Sequence, residues 1–180
     1  YGDHRDLHSF PTRRSSDLRD EVGNDAARLF YIMRSNDQHL DFDLELATST
    51  SNENPVYYIQ YAHARIAGVF KQLAGQGLTW DPAAGRGALG TLDNEHAAAL
   101  MTRLDRFPET VRNAAERRAP NVIVNYLRDL ATDLHRFYNE YKFLVDDTDS
   151  RNARLTLAAA TGQVLRNGLA ILGVSAPEHM

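Results

Sequence analysis

Apolar residues recur at steps of three and four along most of the chain, and this spacing constrains the fold more than any other feature. The longest such patterns extend from Ile123 to Leu144 and from Leu155 to Leu172. Steps of three and four place side chains on one face of an α-helix. Alternation of apolar and polar residues never persists long enough to indicate a sheet. The sequence therefore predicts an all-α fold, an antiparallel helical bundle.

Local signals predict where the early helices lie. Residues 22–33 carry an apolar stripe and are predicted to form a first helix, and residues 44–48 a short helical piece. Asn54 followed by Pro55 is typical of an N-cap and a first helical residue, and the stripe after them extends to Leu73.

Glycine and proline mark the later boundaries. Residues 75–92 contain five glycines and are predicted to form the one substantial loop, after which Asp93 is expected to cap a helix. Pro108 is predicted to open a further short helix. The stripe that ends at Leu144 predicts the longest helix, and Gly173 is typical of a Schellman-type helix end.

Composition permits several classes of partner and excludes some sites. There are no cysteines, which excludes disulfides and thiolate zinc sites, and no apolar run is long enough to predict a membrane helix. The net charge is −4, but it is unevenly spread. Residues 1–53 hold 6 basic and 11 acidic side chains, whereas residues 54–180 hold 14 and 13. The second part is nearly neutral and could present local basic patches to an anion.

Residues 1–18 have neither a helical nor a strand period. Residues 8–18 resemble the translation of a common sequencing adapter, and a disordered basic, serine-rich tail is the alternative. We expect this segment to be non-native or disordered and to contribute nothing to the fold.

Candidate catalytic chemistry is sparse. No two histidines flank an acid at the spacing of a metalloprotease helix, and neither a phosphate-binding glycine loop nor a serine elbow is found. Asp41 and Asp43 offer two close carboxylates, but aspartates at such a position are more often helix caps. We predict no catalytic residue, no metal site and no cofactor in this chain.

Residues 54–66 read NPVYYIQYAHARI and closely resemble the first helix of the anticodon-binding domain of arginyl-tRNA synthetases. Residues 20–44 resemble the end of the catalytic domain and the linker in that family, and residues 163–165 and 172–180 resemble its C-terminus. The resemblance covers about residues 19–180. It implies that residues 19–53 are a remnant of the catalytic domain and linker, and that residues 54–180 are the tRNA-binding domain.

Two departures limit what the resemblance implies. The family's Asp-Ala-Leu-Arg motif is replaced by Asn152, Ala153, Arg154 and Leu155. The ATP-binding signatures of class I synthetases are absent. The resemblance thus implies an anticodon reader of arginine tRNA, separated from the catalytic domain that would use ATP and magnesium in a cytoplasmic ligase. On its own the fragment is predicted to be inactive.

Aromatic and cationic side chains are the groups that hold unstacked bases and their phosphates. The helix after Pro55 supplies Tyr57, Tyr61, His63 and Arg65 without an intervening acid, while Tyr58 is expected to face the core. The resemblance implies a pocket for the middle anticodon base. That pocket would be built from Tyr57 or Tyr61, from Tyr138 or Tyr141, and from the C-terminal Met180. Tyr141 lies on the apolar stripe, which favours Tyr138.

A basic patch near one helix end contains Arg112, Arg117 and Arg118. These residues could contact phosphate or could simply complement the helix dipole. Two other functions remain open at this stage: a helical scaffold that docks a partner through its heptad-like stripes, and a small hydrolase that uses Asp41 and Asp43.

Overall fold

The computed structural model describes residues 15–34 and 42–180, and this part of the chain is helical without a strand. The all-α prediction is therefore confirmed. The helices are α1 Ser15–Val22, α2 Asn24–Ile32, α3 Leu44–Thr48, α4 Pro55–Gly75, α5 Pro82–Gly87, α6 Glu95–Asp105, α7 Phe107–Glu116, α8 Asn121–Glu140 and α9 Thr148–Leu172, with a 3-10 turn at Leu89–Thr91.

The core lies where α4, α6 and α8 pack around α9. Each of these helices buries the apolar stripe that its sequence predicts, and the largest fully buried side chains are mostly leucines of α8 and α9. α5 and the 3-10 turn cover a further side of α9. Within the described ranges, no helix has the length and apolarity of a membrane span.

The boundary signals at Asn54 and Gly173 are confirmed. The Asn54 side-chain oxygen accepts hydrogen bonds from the N–H groups of Val56 (3.1 Å) and Tyr57 (3.5 Å). Gly173 ends α9 with a φ of 66°, a left-handed conformation that favours glycine. The N–H of Val174 then donates to the Leu169 carbonyl at 2.9 Å, which closes the Schellman motif.

The predicted first helix is two helices, and the predicted loop contains one. Gly23 has a φ of 83° and separates α1 from α2, so residues 22–33 are not continuous. Helix α1 begins at Ser15, inside the segment that we expected to contribute nothing. α5 forms in the loop because Asp81 caps it, accepting from the N–H of Ala83 at 2.8 Å. The five glycines of residues 75–92 led to the prediction of a loop, and α5 was therefore not predicted.

Two other boundary predictions are wrong. Asn94, rather than Asp93, caps α6 by accepting from the Ala97 N–H at 2.9 Å. α8 ends at Glu140, and α9, with 25 residues, is longer. After Glu140 the backbone becomes extended, and the apolar residues that follow pack on the core although they are no longer helical. Phe143 is buried there, with its ring centroid 5.5 Å from that of Phe137.

Helix α2 is joined to the bundle by a polar network. The Asp25 carboxylate accepts hydrogen bonds from the Gln60 amide (2.9 Å) and from the backbone N–H of Ser175 (3.2 Å), and the Ser175 hydroxyl also donates to it. Arg28 donates from Nε to the Leu172 carbonyl at 2.7 Å. The residues assigned by resemblance to a catalytic-domain remnant therefore pack directly on α4 and on the segment after α9.

Leu165→Ala is expected to lower the free energy of unfolding by about 2–5 kcal/mol, because Leu165 is fully buried and truncation leaves a cavity. Ile171→Ala is the control on the same helix, since Ile171 is 53% exposed, and it should change stability by only about 0.5 kcal/mol. Urea unfolding followed by circular dichroism measures both variants. Equal losses would contradict the buried position of Leu165.

Candidate nucleic-acid interface

One face of α4 presents three of the candidate side chains in a row. Tyr57, Tyr61 and Arg65 are four residues apart and therefore lie above one another on the helix. The rings of Tyr57 and Tyr61 stack with 5.7 Å between their centroids. All three side chains are half-buried, so each keeps part of its surface open to a ligand.

Helix α8 completes this face with three more side chains. The Arg65 guanidinium carbon lies 3.9 Å from the ring centroid of Tyr138 and 5.2 Å from that of Tyr61. Arg65 also donates hydrogen bonds to Asn139 Oδ1 (3.1 Å) and to His135 Nδ1 (3.0 Å). The structure thus brings Tyr138 beside Tyr57, Tyr61 and Arg65, and the resemblance had implied this proximity for the tyrosines. The two helices are about 70 positions apart in the sequence.

His135 was not singled out in the sequence, yet it lies at the centre of this cluster. Its ring centroid is 4.8 Å from that of Tyr58 and 5.6 Å from that of Tyr61. Burial, and secondarily the charge of Arg65, lowers the pKa of His135 to about 4. At neutral pH the imidazole is therefore uncharged, and its Nδ1 can accept from Arg65. The sequence does contain a signal for His135, its position three residues before Tyr138, because residues three apart lie on the same face of a helix.

The cluster borders a cleft of about 270 Å³ between α4 and α8. We call this cleft the aromatic groove. Its lining combines aromatic rings, amide groups and guanidinium groups: Asn52, Tyr58, Tyr61, Arg65, Thr132, His135, Arg136 and Asn139. Tyr58 is half-buried against the core, and its hydroxyl donates to Thr132 at 3.2 Å.

His63 and Met180 lie elsewhere. His63 is 3% exposed, and its Nδ1 lies 2.8 Å from the Pro177 carbonyl oxygen, so it holds the C-terminal segment instead of facing solvent. A direct RNA contact by His63 does not fit this position. Glu178 and His179 line a different groove, between α4 and α9. Met180 follows them, is 55% exposed and is not among the residues that line the aromatic groove.

The basic patch at the end of α7 is separate from the aromatic groove. Arg112, Arg117 and Arg118 are all exposed. Arg118 has a φ of 50° at the helix end, where Ala119 N–H donates to the Ala114 carbonyl at 2.9 Å. Within residues 15–34 and 42–180, no hydrogen bond or ring contact connects these arginines to the aromatic groove.

The residues that replace the family motif have structural roles. Asn152 is buried and accepts a hydrogen bond from the backbone N–H of Asp81 at 3.2 Å, which fixes the start of α5. Arg154 donates to the Lys142 carbonyl and lies 5.9 Å from the Tyr141 ring centroid, which closes the turn between α8 and α9. Tyr141 itself stacks on Phe137 at 5.2 Å, in agreement with a packing role.

The carboxylates that suggested hydrolase chemistry do not form a site in the described structure. Asp43 caps α3 by accepting from the N–H of Leu46 at 2.9 Å. Asp41 lies outside the described residues. Among the residues described, no three histidine or acidic side chains are grouped to hold a metal ion.

The fold and the aromatic groove define an all-helical domain with an aromatic and cationic face between two long helices. The model of the DALR anticodon binding domain matches residues 59–180, and this chain belongs to that family. It is 56% identical over 164 residues to an arginine–tRNA ligase of Coxiella burnetii and 58% identical over 165 residues to one of Azoarcus sp.. Each match covers 91% of this chain.

The chain spans 28% and 27% of the lengths of these two relatives. It also superimposes on the Thermus thermophilus arginyl-tRNA synthetase with a TM-score of 0.73 and 28% identity. That match covers 96% of this chain and 29% of the synthetase. The resemblance to arginyl-tRNA synthetases is confirmed, as is the helical-bundle class.

His135→Gln is expected to flatten the dependence of stability on pH. The folded-state pKa of about 4 lies below the ordinary value of 6.5, so the unfolded chain binds the proton first. Stability is therefore lost as the pH falls from 6.5 towards 4, and removing the imidazole removes this loss. Urea unfolding at a series of pH values measures the slope.

Asn139→Ala is the matched control for the preceding variant. It removes another hydrogen-bond partner of Arg65 without removing a titrating group, and should keep the wild-type slope. A slope in His135→Gln as steep as that of the wild type would refute the assigned role of His135.

Proposed function

We propose that this chain binds the anticodon loop of arginine tRNA and that the aromatic groove receives an unstacked base. The observation that carries the proposal is a cleft lined by Tyr61 and Arg65, with Tyr138 beneath the Arg65 guanidinium, in a chain of the DALR anticodon-binding family. The names of the relatives, arginine–tRNA ligases, supply the class of tRNA.

The chemistry of the aromatic groove suits a base. Stacking of a base on an aromatic ring contributes about 1–3 kcal/mol, and the half-buried ring of Tyr61 lines the groove with Tyr57 stacked beside it. Asn139 and Arg65 can donate to base edges, and the neutral His135 keeps Arg65 in place without adding a second charge. Discrimination between bases would come from these edge contacts, because stacking alone accepts every base.

The partner contacts outside the aromatic groove belong to the same proposal. Met180, at the exposed end of the chain, would meet the RNA from the side of α4 that faces α9. Arg112, Arg117 and Arg118 would contact phosphates at a distance from the base, as exposed cations do.

We further propose that the whole protein is a cytoplasmic arginine–tRNA ligase. Attachment of arginine, with ATP and magnesium, would occur in a catalytic domain outside this chain. This chain spans little more than a quarter of the length of its relatives. That domain would pack next to α1 and α2. This chain alone would bind tRNA without aminoacylating it.

The scaffold alternative depended on heptad-like stripes that could dock a partner. Those stripes are occupied within the bundle, since Leu127, Leu130, Leu134, Leu155 and Leu165 are fully buried. The aromatic groove, which remains open, therefore supports the tRNA reader better.

Tyr61→Ala and Tyr138→Ala are each expected to weaken binding of arginine tRNA by roughly 5- to 150-fold, because each removes an aromatic face worth about 1–3 kcal/mol. Both should also narrow the preference of the wild type for arginine tRNA over a version altered at the middle anticodon base. Filter binding with both RNAs measures these effects. Tyr31→Ala is the control, since Tyr31 is 48% exposed on α2, and it should bind like the wild type.

The proposal fails if the wild type binds the two RNAs equally and Tyr138→Ala changes neither affinity. Salt dependence provides an independent check, because binding to phosphates weakens steeply as salt increases.

A further inference from the structure

We infer that Arg128 and Arg136 on α8 form a phosphate-binding track that continues from the aromatic groove along the seam between α4 and α8. This inference rests on the proposed function, since it assigns the path of the RNA backbone that leads away from the bound base. Neither arginine stood out in the sequence.

The first argument is the continuity of two clefts. The aromatic groove and a neighbouring cleft of about 520 Å³ share three lining residues, Asn52, Tyr58 and Thr132. Arg136 lines the aromatic groove, and Arg128 lines its neighbour. The two clefts are therefore adjacent along the seam between α4 and α8, and each has an arginine in its lining.

The second argument is helical geometry. Arg128, Thr132 and Arg136 are four residues apart, so they project from one face of α8. Eight residues of helix place the two arginines about 12 Å apart along the axis. That distance is comparable with a short stretch of extended single-stranded backbone, so one strand could contact both guanidinium groups.

The third argument is charge. Arg128 and Arg136 are exposed, and neither side chain has a hydrogen bond or ion pair with another described residue. Asp129, which also lines the neighbouring cleft, is engaged by Arg103 Nη1 at 3.1 Å. Arg103 Nε also pairs with Asp133 at 2.8 Å. Arg103 of α6 thus partly neutralises the acids of α8, while Glu53 contributes one further exposed carboxylate to the neighbouring cleft. The two arginines are available to an anion because neither is paired with a described residue.

The alternative to a phosphate-binding role is that Arg128 and Arg136 are simply solvent-exposed helix residues that contact no ligand. A phosphate contact differs from this because it releases counterions, and this release is measurable as a salt slope. For single strands, the logarithm of the binding constant falls with the logarithm of the salt concentration by about 0.7 per phosphate contact.

The test measures binding of arginine tRNA to the whole chain at a series of sodium chloride concentrations. Arg128→Gln and Arg136→Gln are each expected to reduce the salt slope by about 0.7, and the double variant by about 1.4. The preference for arginine tRNA over the middle-base variant should remain, because phosphate contacts do not read sequence. Arg86→Gln, at an exposed arginine on α5, is the matched control and should keep the wild-type slope.

Two outcomes overturn the inference in distinguishable ways. If the wild type prefers arginine tRNA but both α8 variants keep its salt slope, the track is wrong and the proposed function stands. If the wild type shows no preference between the two RNAs, the proposed function fails and the track fails with it. Thermal melts that match the wild type show that each exposed substitution leaves the fold intact.

Discussion

The close packing of α9 against α4 and α8 is the constraint on which the rest of the structure depends. A Cβ added to Gly162 would lie 3.3 Å from Ile66 of α4, and one added to Gly168 would lie 2.6 Å from Leu127 of α8. Since α9 has no side chain at these two points, two long helices can approach it closely. They are thereby held beside each other, and the seam between them becomes the aromatic groove. The groove is thus mainly a consequence of helix packing, because all of its lining residues except Asn52 come from α4 and α8.

Helix α4 serves two purposes on two faces. One face carries Tyr57, Tyr61 and Arg65 towards α8 and solvent. Another carries Gln60 and His63, which hold the segment after α9 through Ser175 and Pro177. Both faces come from the same short sequence, residues 54–66. Gln60 also donates to Asp25, so α2 packs on the same side of α4.

Helix type and several boundaries could be predicted from the sequence because their causes are local. The cap at Asn54 and the left-handed turn at Gly173 involve neighbours within a few residues. Errors arose where distant contacts overrode local signals. The glycine-rich stretch forms α5, which Asp81 caps locally and which packs on α9, and the chain after Glu140 leaves the helix and buries Phe143.

The candidate site divides in the same way. Residue types at helical spacing singled out Tyr57, Tyr61 and Arg65 as candidates. The resemblance carried by residues 54–66 indicated the family and supplied Tyr138. Spacing within one helix could not reveal that His63 is buried under Pro177, or that His135 accepts from Arg65 across 70 residues. Nor could it show Arg136 beside the same cleft. The local sequence determines which side chains share a face of each helix. Which residues that face contacts is decided by the packing of α4, α8 and α9, because side chains far apart in the sequence meet only in the folded bundle.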